Sequence, residues 1–202
     1  MPTKHIVKVY DAPAFYHVYN RASGERPLFR DNRDRLYFLA LLQKHLAGAD
    51  QEDGDITRVY DLEIVAYCLM GTHFHLLLFQ ENDPAAISGF MRSVSTSYSM
   101  YYNKKYKSKG HVFQSSYRAS PVTNESYLEH ITRYIHLNPR YFETWKWSSY
   151  QEYIGRRSSD WIRLERVLDN PQARDRYANF VKDYASVDRR EQYSELKDQL
   201  AF

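Results

Sequence analysis

The sequence predicts an α+β chain whose antiparallel sheet is built in the order β-α-β-β-α-β, with two helices packed on one face. Three observations lead there. Short runs rich in aromatic and β-branched residues at 14–21, 59–69 and 73–79 read as strands. Two patterns of apolar residues at three/four spacing, one after the first strand and one after the third, read as amphipathic helices. Only Met70-Gly71-Thr72 separates the second strand from the third, short enough for a hairpin. This order is the split βαβ, ferredoxin-like plan.

The first strand is Ala-Phe-Tyr-His-Val-Tyr-Asn-Arg (14–21), followed by a polar loop with Asn20, Arg21, Ser23 and Gly24. Asp31 or Asn32 can cap a helix running to about Leu46, with Leu36, Leu39, Leu42 and Leu46 at helical spacing. Gly48 to Asp55 is acidic and reads as a loop, and Val59 to Leu69 is the second strand, apolar on both faces in its latter half. Asp83-Pro84 opens the next helix, in which Ile87, Phe90, Met91, Val94, Tyr98, Tyr101 and Tyr102 keep a three/four period. Gly110 ends that region, and His111 to Val122 can supply the fourth strand. Thr123 or Asn124 then caps a seventh element, a helix with Leu128, Ile131 and Ile135 on one stripe that stops before Pro139. That helix must pack on an edge or on the open face of the sheet. After residue 155 the character changes. Arg156-Arg157-Ser158-Ser159 reads as a linker, Asn170-Pro171 as an N-cap and first turn, and Tyr177, Phe180, Val181 and Tyr184 as one face of a short helix. The expected organisation is a domain over 1–155 and a C-terminal helical extension over 156–202.

Composition limits the functional classes. The chain has 202 residues, 43% hydrophobic and 16% aromatic, enough for a sizeable core in one domain with an appendage. A formal charge of +3 makes the overall balance a weak argument for a polyanionic partner, so the distribution of charge has to carry it. Cys68 is the only cysteine, which excludes an intrachain disulfide and a cysteine-based zinc site. Met1 to Tyr16 lacks the apolar core of a signal peptide, and no run reaches the roughly 20 apolar residues of a membrane helix. The expectation is a soluble, cytoplasmic protein.

In the strand that begins at His73, side chains alternate between faces, so His73 and His75 project to the same side, with Phe74, Leu76 and Leu78 on the other. Two neighbouring imidazoles are costly to bury unpaired and call for a metal, an anion or good hydrogen bonds. Alternatively, one histidine is a satisfied structural residue and the other is exposed. In the seventh element, Tyr134 and Asn138 are four residues apart and share a helix face, with His130 one turn earlier. That face borders the apolar stripe, so Tyr134 can be a core-edge aromatic with a free hydroxyl. If this helix covers the open sheet face, then His73, His75 and the Asn138 oxygen could hold a metal one turn from the Tyr134 hydroxyl. Such a set, with open positions for phosphate oxygens, suits Mg²⁺ or Mn²⁺. A second constellation interleaves cations with aromatics: Tyr98, Tyr101, Tyr102, Lys104, Lys105, Tyr106, Lys107, Lys109, Phe113, Tyr117 and Arg118. Charges for phosphates and rings for bases make a single-stranded nucleic-acid groove, whereas the plain alternative is a solvated lysine turn after a helix of core tyrosines.

Taken together, these residues resemble the single-tyrosine HUH transposases, and within them the REP-associated tyrosine transposases. His73-Phe74-His75 resembles the family's His-hydrophobic-His motif, and Tyr134-Ile135-His136-Leu137-Asn138-Pro139 its Tyr-Ile-x-x-Asn-Pro motif. Phe15-Tyr16-His17-Val18-Tyr19-Asn20-Arg21 and Phe29-Arg30-Asp31 resemble its N-terminal block. Gly110-His111-Val112-Phe113-Gln114 and Trp147-Ser148-Ser149-Tyr150 match weaker landmarks, in the same order along roughly 14–155.

The resemblance implies an enzyme that cleaves and joins single-stranded DNA by metal-assisted transesterification. Tyr134 would be the nucleophile, forming a 5′-phosphotyrosine link and releasing a 3′-hydroxyl. His73, His75 and Asn138 would hold the Mg²⁺ or Mn²⁺. Arg21, Tyr98, Tyr102, Lys104, Lys105, Lys107, Lys109 and Arg118 would contact DNA, recognised through an imperfect hairpin beside the cleavage site. A prokaryotic, nucleoid-associated location follows from the same likeness, and a homodimer is compatible with it, since some relatives exchange the tyrosine helix between subunits. Two departures stand out. Gly71-Thr72 replaces the family's usual Pro-Asn before the histidines, so altered turn geometry with intact ligands is expected. Many members carry a basic residue near Ser116. Two other functions compete: a domesticated module that binds hairpins without cutting them, and a zinc hydrolase using the two histidines with water. The second lacks a clear third ligand of the usual type.

Overall fold

The computed structural model describes residues 10–46, 58–124 and 127–186. The loop expected at 48–55, and the charged C-terminal remainder from 187, lie outside the described residues. Four strands, β1 (Ala14–Arg21), β2 (Leu62–Leu69), β3 (His73–Gln80) and β4 (Arg118–Val122), form one antiparallel sheet in the order β2-β3-β1-β4. Helices α1 (Asn32–Lys44) and α2 (Ala86–Lys105) follow β1 and β3, which completes the β-α-β-β-α-β order expected from the sequence.

Strand alternation sorts the core into two layers. Tyr16, Val18, Phe74, Leu76 and Leu78 face α1 and α2, where they meet Phe38, Leu42, Phe90, Val94 and Tyr98. Phe15, Leu77 and Phe79 face the other way, into a second core shared with α3 (Leu128–Leu137). The seventh element therefore takes the open face of the sheet rather than an edge. Its stripe of Leu128, Ile131 and Ile135 lies on Val65, Ala66, Cys68 and Leu77, and each buried side chain of this kind contributes about 1.5–3 kcal/mol. In β2 the pairing shifts register between Ile64 and Ala66, so Val65 and Ala66 both join this layer. Strand β2 is apolar on both faces because a core layer covers each of them.

The remaining chain packs behind α3. A short helix α4 (Tyr150–Tyr153) and a longer α5 (Ala173–Asp183) contribute Tyr150, Tyr153, Tyr177 and Val181 to the same core. His136 clamps these parts: its Nδ1 lies 2.7 Å from the Tyr177 hydroxyl and its Nε2 lies 2.8 Å from Ser149 Oγ. Burial lowers its pKa to about 3, so the ring is neutral and can serve one hydroxyl as donor and the other as acceptor.

Several expectations need adjusting. The segment 156–159 is not a slack linker, because Arg157 pairs with buried Glu152 at 2.7 Å and donates to the carbonyls of Ser148 and Lys146 and to the Tyr67 hydroxyl. Leu36, placed on the buried stripe of α1 by spacing, is 57% exposed, and Phe38, Leu41 and Leu42 carry the contact instead. The second strand begins at Leu62 rather than Val59, with Tyr60 making only an isolated bridge to Leu46. The fourth strand is confined to 118–122, since His111 to Tyr117 runs as irregular chain with one bridge from Phe113 to Ala22. Asp31 does cap α1, in a reciprocal capping box with Asp34.

Candidate active site

Register brings the candidate residues together. Tyr19 pairs with His75 and Arg21 with His73 across β1 and β3, while Tyr19 pairs with Arg118 across β1 and β4. All of these side chains leave the sheet on the α3 side, where the helix covers only part of the surface. The uncovered part is a cleft of about 710 Å³ lined by Tyr19, Asn20, Arg21, His73, His75, Gln114, Ser115, Arg118 and Tyr134.

Each side chain is positioned by its element. Helix α3 ends at Leu137 with Asn138 as its C-cap, so the Asn138 side chain reaches back along the face that carries Tyr134. Asn138 Oδ1 lies 3.1 Å from His73 Nε2. The other nitrogen of His73, Nδ1, lies 3.0 Å from the Thr72 hydroxyl, so Thr72 orients the ring. The turn itself is well anchored: Gly71 O accepts from the amides of Leu28 and Phe29, and Thr72 O accepts from that of Ala22. The Gly71-Thr72 turn thus fixes the start of β3 and, with it, His73.

His75 is only 6% exposed, and its Nδ1 lies 2.9 Å from Nε2 of His17. Burial first, then the neighbouring His17 and His73, holds the His75 pKa well below its ordinary value. It is a neutral ring, the form that ligates metals. Tyr134 stands over this pair, its ring edge-on to His75 at 5.6 Å and to His17 at 5.9 Å. The tyrosine therefore sits against histidines of its own chain.

A divalent cation fits this donor set. Two adjacent ligands about 2.1 Å from an octahedral ion are about 3.0 Å apart, and His73 Nε2 and Asn138 Oδ1 have that spacing, at 3.1 Å. His75 would add a second imidazole. Among the described residues no three His, Cys, Asp or Glu side chains converge as a metal site. The further donor nearest to His73 is instead an amide oxygen, that of Asn138.

The expected DNA contacts divide. Arg21 and Arg118 are exposed at the cleft. Lys104, Lys107 and Lys109 are exposed at and beyond the end of α2, away from the residues that line it. Tyr98 and Tyr102 require correction: both are fully buried, with hydroxyls donating to the carbonyls of Leu28 and Pro27, so neither ring offers a face to a base. Lys105 is tied to Asp31 at 2.9 Å and to Asp34 at 2.7 Å, which makes it a fold residue. Replacing Arg21 or Arg118 by Ala should each weaken single-stranded DNA binding and lower the salt slope by about 0.7. Lys105→Met should lower the unfolding midpoint and leave that slope unchanged; fluorescence anisotropy over a salt series and urea titration check both.

The sequence places His17, Tyr19 and Gln114 within motif blocks but assigns them no role at the site. The signal for the first two was available, since His17, Tyr19 and Arg21 alternate along β1 on one face. What could not be read was that this face adjoins the face of His73 and His75.

Comparison with known proteins agrees with this geometry. The family model described as "Transposase IS200 like" matches residues 51–138, a span that holds β3, α2, β4 and α3. No curated protein matches the chain. Among solved structures, one described as the REP-associated tyrosine transposase bound to a REP hairpin aligns with a TM-score of 0.58. The alignment covers 81% of this chain and 94% of that one at 13% identity, which is a likeness of fold. Residues 51–138 of the chain are thus similar to the IS200-like transposases, and its α+β fold is similar to that of a REP-associated tyrosine transposase.

Proposed function

We propose that this protein is a single-tyrosine transposase that cuts and rejoins single-stranded, hairpin-flanked DNA through a covalent bond to Tyr134. The observation that carries this reading is convergence. His73 Nε2 and Asn138 Oδ1 lie 3.1 Å apart, and His75 stands beside them under the Tyr134 ring, in one cleft bordered by Arg21 and Arg118. The solved structure it resembles holds a REP hairpin, which supports a hairpin as the DNA partner.

The roles follow from the residues. Arg21 and Arg118 bind the backbone of the incoming strand and draw it over the sheet. Tyr134 Oη attacks the phosphorus and the bond to the 3′-oxygen breaks. The phenol loses its proton to solvent, and the departing 3′-oxygen takes one up. The product is a 5′-phosphotyrosine with a free 3′-hydroxyl, and attack by a 3′-hydroxyl reverses the step and joins strands. His73, His75 and Asn138 would hold a divalent cation, which as a Lewis acid would orient the phosphate and offset its growing charge. Magnesium or manganese suits the mixed nitrogen and oxygen donors.

The test is an incubation of the protein with labelled hairpin-flanked single strands and Mg²⁺ or Mn²⁺, read on a denaturing gel. A covalent band that disappears in chelator and in the His73→Ala/His75→Ala double variant supports the reading. A double variant that cleaves normally in chelator removes the metal role. Hairpin binding without any adduct from the wild type would favour the non-cutting module.

A further inference from the structure

His17 has no part in the reading just given, yet it is the residue in closest polar contact with one of the three proposed ligands. It lies in β1, is 3% exposed, and pairs in register with Leu77, two residues beyond His75 on β3. The His17 and His75 rings are close to parallel, with an interplanar angle of 12° and centroids 5.1 Å apart, and His17 Nε2 is 2.9 Å from His75 Nδ1. The second nitrogen of His17, Nδ1, is buried without a hydrogen-bond partner. At 2.9 Å this contact is a hydrogen bond, which needs one hydrogen between the two facing nitrogens, on one ring or on the other.

That hydrogen can sit in two places. On His75 Nδ1 it is donated to His17 Nε2, and His75 Nε2 is left as a lone pair towards the cleft its ring lines. On His17 Nε2 it is donated to His75 Nδ1, and His75 Nε2 then carries a hydrogen and cannot ligate a cation. His73 is under no such constraint, because its Nδ1 meets the Thr72 hydroxyl, which can donate or accept. Stability does not explain an imidazole at position 17. A phenylalanine would fill a similar volume and exchange the unpaired His17 Nδ1 for an unpaired His75 Nδ1, so hydrogen-bond satisfaction favours neither residue. What the imidazole adds is a lone pair aimed at His75.

We propose that His17 is a positioning residue that accepts the Nδ1–H of His75 and so presents His75 Nε2 as a lone pair to a divalent cation. The proposal rests on the metal-site reading of His73, His75 and Asn138. It extends the site one residue inward, onto the strand that carries Tyr19 and Arg21.

Two variants separate the accepting atom from the bulk of the ring. His17→Phe keeps the volume and removes the acceptor, whereas His17→Gln can place its amide oxygen near the position of Nε2. Calorimetry with Mn²⁺ and the DNA-free protein should show about 10–100-fold weaker binding for His17→Phe, the usual effect of losing a residue that orients a ligand. His17→Gln should recover most of that loss, and thermal unfolding of His17→Phe should stay close to wild type. Nitrogen-15 spectra of the metal-free wild type should show hydrogen on His75 Nδ1 and none on His17 Nε2.

Wild-type affinity in His17→Phe, or hydrogen found on His17 Nε2, overturns the proposal. Failure of the metal-site reading itself looks different: the wild type then binds no Mn²⁺, or His73→Ala binds it as well as the wild type. If His17→Phe does not fold, the wild-type nitrogen spectra decide the question alone.

Discussion

Tyr134→Phe is expected to abolish the covalent protein–DNA adduct while hairpin binding stays within about twofold of wild type. The change deletes one oxygen from a half-buried ring and leaves the ring packed edge-on to His17 and His75. Nothing else in the cleft replaces that oxygen. Of the lining residues only Tyr19 carries another phenol, and it sits on the sheet rather than on the helix that bears Asn138. Loss of a nucleophile acting in concert with its site removes at least about 10³-fold of activity, so the adduct should fall below detection. Denaturing gels with labelled DNA, run beside anisotropy on the same variant, separate chemistry from binding. An adduct of normal intensity from Tyr134→Phe would mean that another residue attacks.

The largest expected effect on stability lies on the far side of the sheet. Asp34 has a fully buried carboxylate. Its Oδ1 accepts from Tyr101 Oη and Lys105 Nζ, and its Oδ2 from Tyr106 Oη and the amides of Arg30 and Asp31. Asp34→Ala leaves these donors without their acceptor and Lys105 with only the exposed Asp31 as a partner. Breaking one side of a buried ion pair costs about 3–5 kcal/mol, a large part of the roughly 5–15 kcal/mol that holds a domain folded. Urea unfolding should show it directly. The same carboxylate gives a pH dependence. Burial alone would raise its pKa, but the bonds from Lys105, Tyr106 and the two amides outweigh that and hold it below the ordinary 3.8. A lowered folded value means that the stabilisation is complete above about 3.8 and is lost as pH falls through the lower folded value. The acid limb of the stability curve should therefore be shallower in Asp34→Asn than in wild type.

This buried knot shows why parts of the chain resist reading from sequence. Tyr98, Tyr101, Tyr102, Lys105 and Tyr106 have the spacing and composition of a nucleic-acid surface. What holds them inward lies far back in the chain: Asp34, 67 to 72 positions earlier, takes Tyr101, Lys105 and Tyr106, and the carbonyls of Leu28 and Pro27 take Tyr98 and Tyr102. Period alone gave α2 correctly, because three/four spacing reports a buried face whatever that face touches. It could not distinguish tyrosines that stack on bases from tyrosines that donate to buried carbonyls. The sheet was legible for a firmer reason. Alternation along β1 and β3, joined to a three-residue hairpin turn, fixes which side each residue takes, and a shift of one residue would have put Leu77 and Phe79 on the wrong layer. His73 and His75 were consequently readable as a pair. Asn138 could be joined to them only on the condition that its helix covers this face of the sheet, and the packing of α3 over β2 and β3 brings it within 3.1 Å of His73. The segment after residue 155 departs from the expected linker at Arg157, whose partner Glu152 is buried, a burial that local sequence does not reveal.

The central claim, that one tyrosine on α3 makes the bond to DNA over the His73–His75 platform, is open to a direct measurement. Wild-type protein is incubated with a hairpin-flanked single strand and Mg²⁺ or Mn²⁺, the adduct is isolated and digested with nuclease and protease, and the peptide bearing a residual nucleotide is sequenced by mass spectrometry. The account predicts a 5′-phosphotyrosyl nucleotide on Tyr134 alone. A nucleotide on Tyr19 or on any other residue, or a cut strand with no peptide attached, would contradict it.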